Sequence, residues 1–437
     1  MRARHQTSHG WGRVLHAEEE VLRPERQAML ERLVAKDPAP AVGNRRSYGD
    51  AALNSGGRVI DMTRLDRCLS FDAGTGVLEV EAGTTMGDLL ALCAPLGWMP
   101  PVLPGTGEAT VGGCIANDVH GKNHHGAGSF GQHVLSLTLL GKDGARQVTP
   151  GETPDLFRAT LGGLGQTGVI LSARLQLVPC KGEMVRVRER RMDGIAEFLS
   201  AFDASRASYS VGWIDATAQG DALGRGILEE GEVIAGDAPP PGRTRRVPVA
   251  LPPLLVSAPA VRLFNALYLR RVPEAGRDRE RPLADFFFPL DRLHDWNLVY
   301  GKKGFHQFQC VLPEGEEQAL TPMLERIAES GLASPLAVLK RLGPGRAGMM
   351  SFPMAGMTLA VDFPNRPEAE ALAMELEWMA VEAGGRIYLA KDTLSDPDLM
   401  ARMYPEAGEF ARIVTEADPK GHFQTDLVRR LKLRDPR

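Results

Sequence analysis

The stretch from residue 103 to residue 131 constrains the fold of this chain more than any other part of it. It reads LPGTGEATVGGCIANDVHGKNHHGAGSFG and holds eight glycines, three histidines and one lysine, with almost no amphipathic periodicity. Glycine at this density costs conformational entropy, so a globular protein keeps it where backbone must approach a ligand closely. A flexible linker fits poorly, because Thr110-Val111, Cys114-Ile115-Ala116 and Val119 suit short buried strands or turns. We expect the stretch to lie against a phosphorylated, aromatic cofactor.

Composition excludes several classes of protein. A chain of 437 residues with 43% hydrophobic and 24% charged residues is an ordinary globular protein of two or three domains. A net charge of −4 gives no reason to expect a nucleic-acid partner. The chain has no long apolar run, no apolar signal-peptide segment and no CxxC pair, which predicts neither a transmembrane helix nor a disulfide or thiolate-zinc framework. We expect a cytoplasmic location, with peripheral contact to a membrane left open.

Three glycine-rich loops organise the first 180 residues. Strand patterns at Val59-Ile60, Leu78–Val80 and Val134–Leu140 and a helical pattern at Met86–Leu96 lie between them. The loops read GNRRSYGD from residue 43, the long stretch quoted above, and GGLGQTG from residue 162. None is GxGxxG between a strand and a long helix, and none is GxxxxGK[ST], so a Rossmann fold and a P-loop both fit poorly.

The order GNRRSYGD, LPGTxxxTVGGxIxxDxHGKNHHxAGSFG and GGxGxTGxI resembles the PCMH-type FAD-binding module of the vanillyl-alcohol oxidase superfamily. Within it, the chain is similar to the decaprenylphosphoryl-β-D-ribose 2′-oxidase family, which acts in ribose-to-arabinose epimerisation for mycobacterial cell wall synthesis. The likeness covers nearly the whole chain and is weakest between about residues 181 and 281. It implies an α+β fold with an FAD-binding domain at 1–182, an antiparallel-sheet substrate domain at 183–385 and a C-terminal return to the FAD domain at 386–437.

The resemblance implies FAD as the cofactor, with its pyrophosphate between the loops Gly43–Asp50 and Pro104–Gly113. A nest of backbone amides binds anions without bulky side chains in the way. Many relatives attach the flavin through a histidine in the first loop, but Arg46 stands in that place here, so we expect noncovalent FAD. The residues expected to bind it are Gly43, Asn44, Arg45, Arg46, Ser47, Tyr48, Gly105, Thr106, Thr110, Gly112, Gly113, Asn117, His120, Gly121, Asn123, His124, Gly128, Ser129, Gly165, Gly168, Ile170 and Tyr388.

The histidine cluster leaves three interpretations open. His120 and His124 lie four residues apart, but a zinc site needs both on one helix with a third ligand, and Gly121 disfavours a helix here. No metal is therefore predicted. In a second interpretation, backbone groups satisfy the histidines inside a buried loop. The resemblance implies the third, in which His120 and Lys122 line the flavin and substrate cavity as catalytic residues.

Two lysines are candidates for the site. Lys391 stands in the motif Tyr388-Leu389-Ala390-Lys391-Asp392, and the lysine of this motif in the similar family lies at the flavin and is needed for activity. A fixed cation there stabilises the negative charge that hydride arrival at flavin N5 leaves, and it can hold the substrate hydroxyl. Lys340 matches a substrate-contacting lysine of the family. For each, the alternative is an exposed surface lysine.

Gln307 and Gln309 alternate with Phe308 and Cys310, which puts both amides on one face of a strand. Amides that face a cavity suit sugar hydroxyls, because each offers a donor and an acceptor. The resemblance implies that Tyr48 lines the same cavity. Three positions depart from the family: Ala360 replaces a reactive cysteine, Thr358 an asparagine and Phe287 a tyrosine.

The sequence therefore predicts an FAD-dependent oxidoreductase that oxidises a secondary sugar hydroxyl to a keto sugar by hydride transfer. C2′ of a polyprenyl-phosphoryl ribofuranose is the substrate that the resemblance implies, with a short-chain NAD(P)H reductase as a partner in the pathway. An oxidase of a free alditol or aldonolactone and a non-catalytic flavin-binding subunit are the alternatives. The segments 231–253 and 270–282 are expected as solvated loops or as a lid over a lipid-linked sugar.

Overall fold

The computed structural model describes residues 3–240 and 242–435. Its strands are β1 (Arg4–His9), β2 (His16–Leu22), β3 (Ala41–Val42), β4 (Arg58–Asp61), β5 (Cys68–Asp72), β6 (Val77–Glu81), β7 (Trp98–Met99), β8 (Val134–Gly141), β9 (Gly144–Val148), β10 (Val169–Gln176), β11 (Val178–Pro179), β12 (Met184–Met192), β13 (Tyr209–Ile214), β14 (Gly226–Ile234), β15 (Arg245–Arg246), β16 (Arg277–Pro282), β17 (Leu293–His294), β18 (Phe305–Pro313), β19 (Ala337–Leu342), β20 (Gly356–Pro364) and β21 (Arg386–Ile387).

The helices lie between and after these strands. They are α1 (Gln27–Lys36), α2 (Met86–Cys93), α3 (Val111–Ala116), α4 (His124–Ala127), α5 (Pro154–Thr160), α6 (Ile195–Ala204), α7 (Ala258–Arg270), α8 (Leu283–Phe287), α9 (Leu320–Ser330), α10 (Pro367–Glu382), α11 (Met400–Met403), α12 (Ala407–Ala417) and α13 (Asp426–Arg430). None of the helices in the described ranges is long and apolar enough to cross a membrane.

Two sheets form the N-terminal half. The first has the order β1-β2-β4-β3, in which β4 pairs in parallel with β2 and with β3. The second has the order β5-β6-β10-β8-β9 and is antiparallel throughout. Alternating apolar residues of the second sheet, such as Leu78, Val80 and Leu137, are fully buried against Leu89 and Cys93 of α2. The predicted strands and the predicted helix of this region are confirmed.

An eight-stranded antiparallel sheet forms most of the second half, in the order β16-β12-β14-β13-β19-β20-β18-β21. Its outer face packs on α6, α9 and α10, and Phe308, Leu339 and Leu359 point into that core. Residues directly opposite one another in an antiparallel pair share a face. The register therefore puts Gln309, opposite Ala360, on the inner face, which continues through Val338. The α+β fold class is confirmed.

The last segment of the chain contacts elements of the first half. Asp426 accepts hydrogen bonds from the amide and hydroxyl of Ser55, and Arg430 pairs with Asp50 at 2.8 Å. The side-chain amide of Gln166 donates to the carbonyl of Phe423 at 2.7 Å. These contacts fit a C-terminal return to the first domain, while the domain boundaries themselves stay a prediction.

Two local predictions were wrong, and a third was right only in part. Thr110–Ala116 is not a strand or turn, because Thr110 caps the short helix α3 by accepting from the amide of Gly113 at 3.2 Å. The segment 270–282 is not wholly a loop, since β16 is an edge strand of the large sheet with the arginines of Arg277–Pro282 on one face around Glu189. The segment 231–253 begins with the end of β14 and includes β15, which pairs with β17.

Candidate functional site

A cavity of about 880 Å³ lies between the glycine loops and the inner face of the eight-stranded sheet. Its first wall is the loop after β3, from Gly43 to Tyr48. Two backbone hydrogen bonds fix the C-terminal end of this loop: the amide of Trp11 donates to the carbonyl of Ser47 at 2.8 Å, and the amide of Tyr48 donates to the carbonyl of Ala390 at 2.9 Å. The loop thus connects the N-terminal sheet to the segment that carries Lys391.

The backbone of this loop forms an anion nest. Arg45 has a left-handed backbone with φ of 50°, and its guanidinium is bound by the buried carboxylate of Glu19. Within the described part of the chain, the amides of residues 44–47 donate no hydrogen bond to protein. Successive free amides around a left-handed residue make a concave site for phosphate oxygens. Arg46 stacks over Trp11 at 4.2 Å, so its side chain lies beside the nest.

A carboxylate from the substrate side of the cavity binds part of the second glycine loop, Pro104–Gly113. Asp291 accepts from the amide of Gly107 at 2.6 Å and from the hydroxyl of Thr106 at 2.8 Å. The side-chain amide of Asn44 donates to the Glu108 carboxylate at 2.8 Å, which joins the first and second loops. The Gly107 amide is therefore engaged by protein, and the first loop offers the clearer phosphate site.

Several positions fit a flat ligand that passes between the loops. A Cβ at Gly105 or Gly165 would meet no atom within 4 Å, so these two cavity-lining glycines leave open space where a side chain would intrude. Asn117 Oδ1 and His120 Nδ1 are buried and have no partner among the described residues. An orphaned acceptor and an orphaned ring nitrogen beside a phosphate nest suit a cofactor with both phosphate and heteroaromatic groups. The residues present therefore fit FAD.

Lys391 lies at the inner end of the cavity. Its Nζ stands 3.5 Å from the centre of the buried Tyr48 ring. Burial lowers the pKa of Lys391 to about 7; the negative charge of Asp362 opposes this shift and Lys340 adds to it. Asp362 is fully buried on β20 and accepts from Gln307 Nε2 and from the hydroxyl of Tyr300 at 3.0 Å. Burial raises the pKa of Asp362 to about 7, against those two hydrogen bonds.

Gln309 holds His120 in one tautomer. Its Nε2 lies 3.2 Å from His120 Nε2 and 3.3 Å from Thr358 Oγ1, and Thr358 Oγ1 itself donates to the carbonyl of Cys310. With the Gln309 amide oriented so that Nε2 faces both partners, His120 Nε2 accepts and the proton lies on the orphaned Nδ1. Burial, followed by Lys340, His124 and Lys391, lowers the pKa of His120 well below its usual range. His120 is therefore a neutral donor toward the cavity.

Two more lysines enter the cavity wall. Lys340 projects from β19, and burial lowers its pKa to about 8. Lys122 donates to the carbonyl of Phe286 and lies 4.1 Å from the centre of that ring. Burial lowers the pKa of Lys122 to about 7, with Glu229 opposing the shift. Lys340 and Lys391 are therefore not the exposed surface lysines of the alternative interpretation.

The structure brings most of the predicted site residues to this cavity and leaves five outside its wall. Predicted residues that line it are Gly43, Asn44, Arg45, Arg46, Ser47, Tyr48, Gly105, Thr106, Thr110, Gly112, Gly113, Asn117, His120, Lys122, Gly165, Gly168, Ile170, Gln307, Gln309, Lys340, Tyr388 and Lys391. The five others are Gly121, Asn123, His124, Gly128 and Ser129, which lie behind the wall and shape the turn that presents His120 and Lys122.

Contacts within the protein occupy those five residues. The side chain of Asn123 donates to the carbonyl of Pro101 at 2.7 Å, and His124 Nδ1 accepts from the amide of Gly343 at 3.1 Å. The amide of Ser129 donates to the side chain of Gln132, beside which Gly128 has φ of 71°. A Cβ on Gly121 would meet the Asn123 side chain and Leu103 backbone. No set of three or more histidine, cysteine or carboxylate groups in residues 3–240 and 242–435 is arranged to hold a metal ion.

Sequence reasoning missed the outer end of the cavity. Trp213, Tyr268, Arg279 and Arg281 line it there, and Arg279 and Arg281 share the buried carboxylate of Glu189. The alternation of arginines in RDRERP was a readable strand signal, with the arginines on one face. The three positions that depart from the family, Thr358, Ala360 and Phe287, also line the cavity.

Comparison with known proteins gives the following similarities. Residues 21–149 match the FAD binding domain family. The chain is 37% identical to decaprenylphosphoryl-beta-D-ribose oxidase of Mycolicibacterium smegmatis, over 97% of each chain. It is 36% identical to an uncharacterized protein of Streptomyces coelicolor over 80% of this chain and 100% of that protein. It is 31% identical to human Delta(24)-sterol reductase over 32% of this chain and 27% of that one.

Proposed function

The chain belongs to the family of decaprenylphosphoryl-β-D-ribose oxidase, and from that membership we propose that it oxidises a secondary sugar hydroxyl, C2′ of a polyprenyl-phosphoryl ribofuranose, to a ketone. The FAD-binding domain and the relative together make it an FAD-dependent oxidoreductase, as the sequence predicted. The observation that carries the proposal is that Lys391, Gln309 and Lys340 share one cavity with the phosphate nest.

The nest at residues 44–47 would hold the pyrophosphate, and Asn117 Oδ1 and His120 Nδ1 would offer polar partners to the rest of the cofactor. Bound FAD supplies the acceptor for the hydride of the carbinol carbon. Attachment is noncovalent, because Arg46 offers no nucleophile at the position where relatives use histidine. Acid precipitation of the protein should therefore release all of the flavin into the supernatant.

Lys391 takes the proton of the reacting hydroxyl. With a pKa near 7, its Nζ is neutral in a large share of molecules at physiological pH and can accept a proton in the cavity. Once protonated, Nζ is a cation at the point where negative charge develops, and it stabilises that charge without reorganisation of solvent. His120 does not serve as the base, since its Nε2 is engaged by Gln309 and its Nδ1 carries the proton.

The sugar is held by the inner face of β18, β19 and β20. Gln309 and Thr358 offer polar groups for ring hydroxyls, and Lys340 offers a cation with no ion-pair partner in residues 3–240 or 242–435. A phosphodiester next to the sugar would supply the negative charge that pairs with Lys340. A free polyol would leave the charge of Lys340 without an ion-pair partner, which favours the phosphorylated substrate.

The keto sugar must be reduced to complete an epimerisation. We therefore include in the proposal a separate short-chain NAD(P)H reductase, which would take the product and deliver hydride to the opposite face of the carbonyl. The proposal does not require a stable complex between the two proteins.

The deciding experiment is anaerobic absorbance at the flavin band during titration with polyprenyl-phosphoryl ribose and, separately, with a panel of free polyols and aldonolactones. Bleaching by the lipid-linked sugar alone supports the proposal. Bleaching by a free polyol would reassign the protein to the alditol oxidases, with Thr358, Ala360 and Phe287 as the specificity positions. If no sugar bleaches the flavin, the result favours the alternative of a non-catalytic flavin-binding subunit.

A further inference from the structure

Apolar side chains are unusually exposed in one part of the surface. Among the described residues, twelve large apolar side chains are exposed, and six of them fall between residues 249 and 267. They are Val249, Leu254, Leu255, Leu263, Phe264 and Leu267, with 48–75% of each exposed. Single exposed apolar residues are ordinary, but a contiguous group marks a surface that contacts something.

Helix α7 carries large apolar side chains on its solvent-exposed side, unlike an ordinary surface helix. Its buried side carries Val261 and Asn265, and Asn265 Nδ2 donates to Asp215 Oδ1 at 2.7 Å. That buried hydrogen bond fixes the rotation of the helix. Leu263, Phe264 and Leu267 then point outward, where a surface helix normally carries polar groups.

The same segment is strongly basic. Residues 238–273 hold six arginines and no aspartate or glutamate, in a chain whose net charge is −4. Arg243, Arg245, Arg262 and Arg270 are exposed, and none of them has an ion-pair partner within residues 3–240 or 242–435. Apolar residues flanked by unpaired arginines are complementary to a layer with an apolar interior and an anionic surface.

An aromatic path joins this surface to the cavity. Trp213 and Tyr268 line the cavity, with ring centres 4.6 Å apart. Tyr268 stacks on the exposed Phe264, with centres 5.7 Å apart and planes inclined by 16°. On the other side, β15 with Arg245 pairs with β17, whose residues line the cavity. The surface therefore adjoins the outer end of the cavity.

We propose that this docking face, made of the six apolar residues and Arg243, Arg245, Arg262 and Arg270, seats on the surface of an anionic phospholipid bilayer. The leucines and Phe264 enter the boundary between headgroups and acyl chains, and the arginines meet lipid phosphates. The docking does not depend on the proposed substrate. Use of the aromatic path by a prenyl tail does rest on the proposed function.

The test is co-sedimentation of the FAD-loaded protein with vesicles of phosphatidylglycerol and phosphatidylcholine, and with vesicles of phosphatidylcholine alone. We expect the protein to bind the anionic vesicles and to be released by high salt. The variant L263S/F264S/L267S should bind about tenfold more weakly or worse. The variant R243Q/R245Q/R262Q/R270Q should lose its preference for anionic vesicles, because each arginine near an anionic surface strengthens binding about fivefold.

A matched control removes three exposed leucines elsewhere. Leu69, Leu92 and Leu135 are 40–48% exposed and lie in the first half of the chain, so L69S/L92S/L135S should bind vesicles like the wild type. Flavin absorbance and the melting temperature check that each variant is folded. An inability to oxidise polyprenyl-phosphoryl ribose would count against the proposed function and would leave vesicle binding unchanged.

Three results would overturn the docking proposal. The wild type could stay in the supernatant with anionic vesicles, or the L263S/F264S/L267S variant could sediment as the wild type does. In the third, light scattering shows a wild-type dimer and a monomeric L263S/F264S/L267S variant, which would make this face an interface between two copies of the chain.

Discussion

Lys391 Nζ lies over the Tyr48 ring and has no carboxylate within ion-pair distance among the described residues. Replacing it with methionine keeps a side chain of similar length and removes the amine that we propose as the base. We expect Lys391→Met to slow flavin bleaching by substrate at least about 100-fold, the usual contribution of a general base. Stopped-flow absorbance under anaerobic conditions measures this rate.

FAD should stay bound to the Lys391→Met variant, because the nest at residues 44–47 is unchanged. Lys420→Met, at an exposed position, is the control and should bleach at the wild-type rate. Wild-type bleaching in the Lys391→Met variant would remove this lysine from the mechanism.

Burial lowers the pKa of Lys391, and the charge of Asp362 offsets part of that shift. If the neutral amine is the reactive form, bleaching at low substrate falls as the pH drops through about 7, where Nζ becomes protonated. The negative charge of Asp362 favours the ammonium and so raises the pKa of Lys391. Asp362→Asn removes that charge, and we expect the acid limb of the pH–rate profile to move down by about one pH unit.

A second buried carboxyl provides the control for this shift. Glu377 is 4% exposed on α10, and burial raises its pKa to about 7, as it does for Asp362, but Glu377 does not line the cavity. Glu377→Gln should leave the acid limb in place. An unmoved limb in Asp362→Asn would show that Asp362 does not tune Lys391.

Residues of the candidate site could be predicted from the sequence where a local pattern or a motif marked them. The period-two spacing put Gln307 and Gln309 on one face of β18, and both line the cavity. The turn around Asn123 was not predictable, because its direction depends on a hydrogen bond to Pro101, 22 residues away. Tyr268 was missed because no local signal separates a helix residue that faces a cavity from one that faces a core.

Among the secondary-structure elements, α3 shows why the glycine stretch was misread. Val111–Ala116 has two glycines in six residues, which argues against a helix from propensity alone. The capping hydrogen bond to Thr110 and the complete burial of Val111, Cys114 and Ile115 outweigh that propensity. Strand β16 was misread for the opposite reason. Its charged residues suggested a solvent-exposed loop, but its arginines form ion pairs with the buried carboxylate of Glu189.

The junction of the first glycine loop with α3 offers a test at this scale. A Cβ on Gly43 would collide with Thr110 Oγ1, the group that caps α3. We expect Gly43→Ala to weaken FAD binding about five- to tenfold, because loss of such a cap costs about 1 kcal/mol and both loops must shift. Fluorescence titration of the FAD-free protein with FAD measures the change.

Gly126→Ala is the matched control, because it lies in the same glycine-rich stretch. A Cβ there meets no atom within 4 Å, and the residue is exposed in α4. This variant should bind FAD as the wild type does. Equal losses in the two variants would mean that the loss is not specific to the contact between Gly43 and Thr110.

Over the whole molecule, the sequence could predict the order of the parts but not their contacts. The change from glycine-punctuated strands to alternating strands and helices near residue 183 was readable. The pairing of Arg430 with Asp50 was not, because the two residues are 380 positions apart and carry no local signature. This pairing places the C-terminal helix beside the segment that carries Lys391.

Arg430 holds two buried carboxylates together. Its guanidinium lies 2.8 Å from Asp50 and 2.8 Å from Asp392, the residue after Lys391, and the two carboxylates are 7% and 4% exposed. Arg430→Met leaves both charges buried without their partner, so we expect a loss of about 3 kcal/mol in the free energy of unfolding. The melting temperature of the FAD-loaded protein should fall, and flavin should be released before the main transition, because Tyr48 and Ala390 also meet here.

Arg412→Met separates this effect from the loss of any arginine. Arg412 bridges Glu409 and Glu416 on the exposed side of α12, where solvent screens the charges, so its replacement should leave the melting temperature unchanged. If the Arg430→Met variant has the wild-type melting temperature and keeps its flavin, the C-terminal segment does not hold the segment of Lys391 in place. If it loses flavin early while Arg412→Met does not, the position of Lys391 depends on the last ten residues of the described chain.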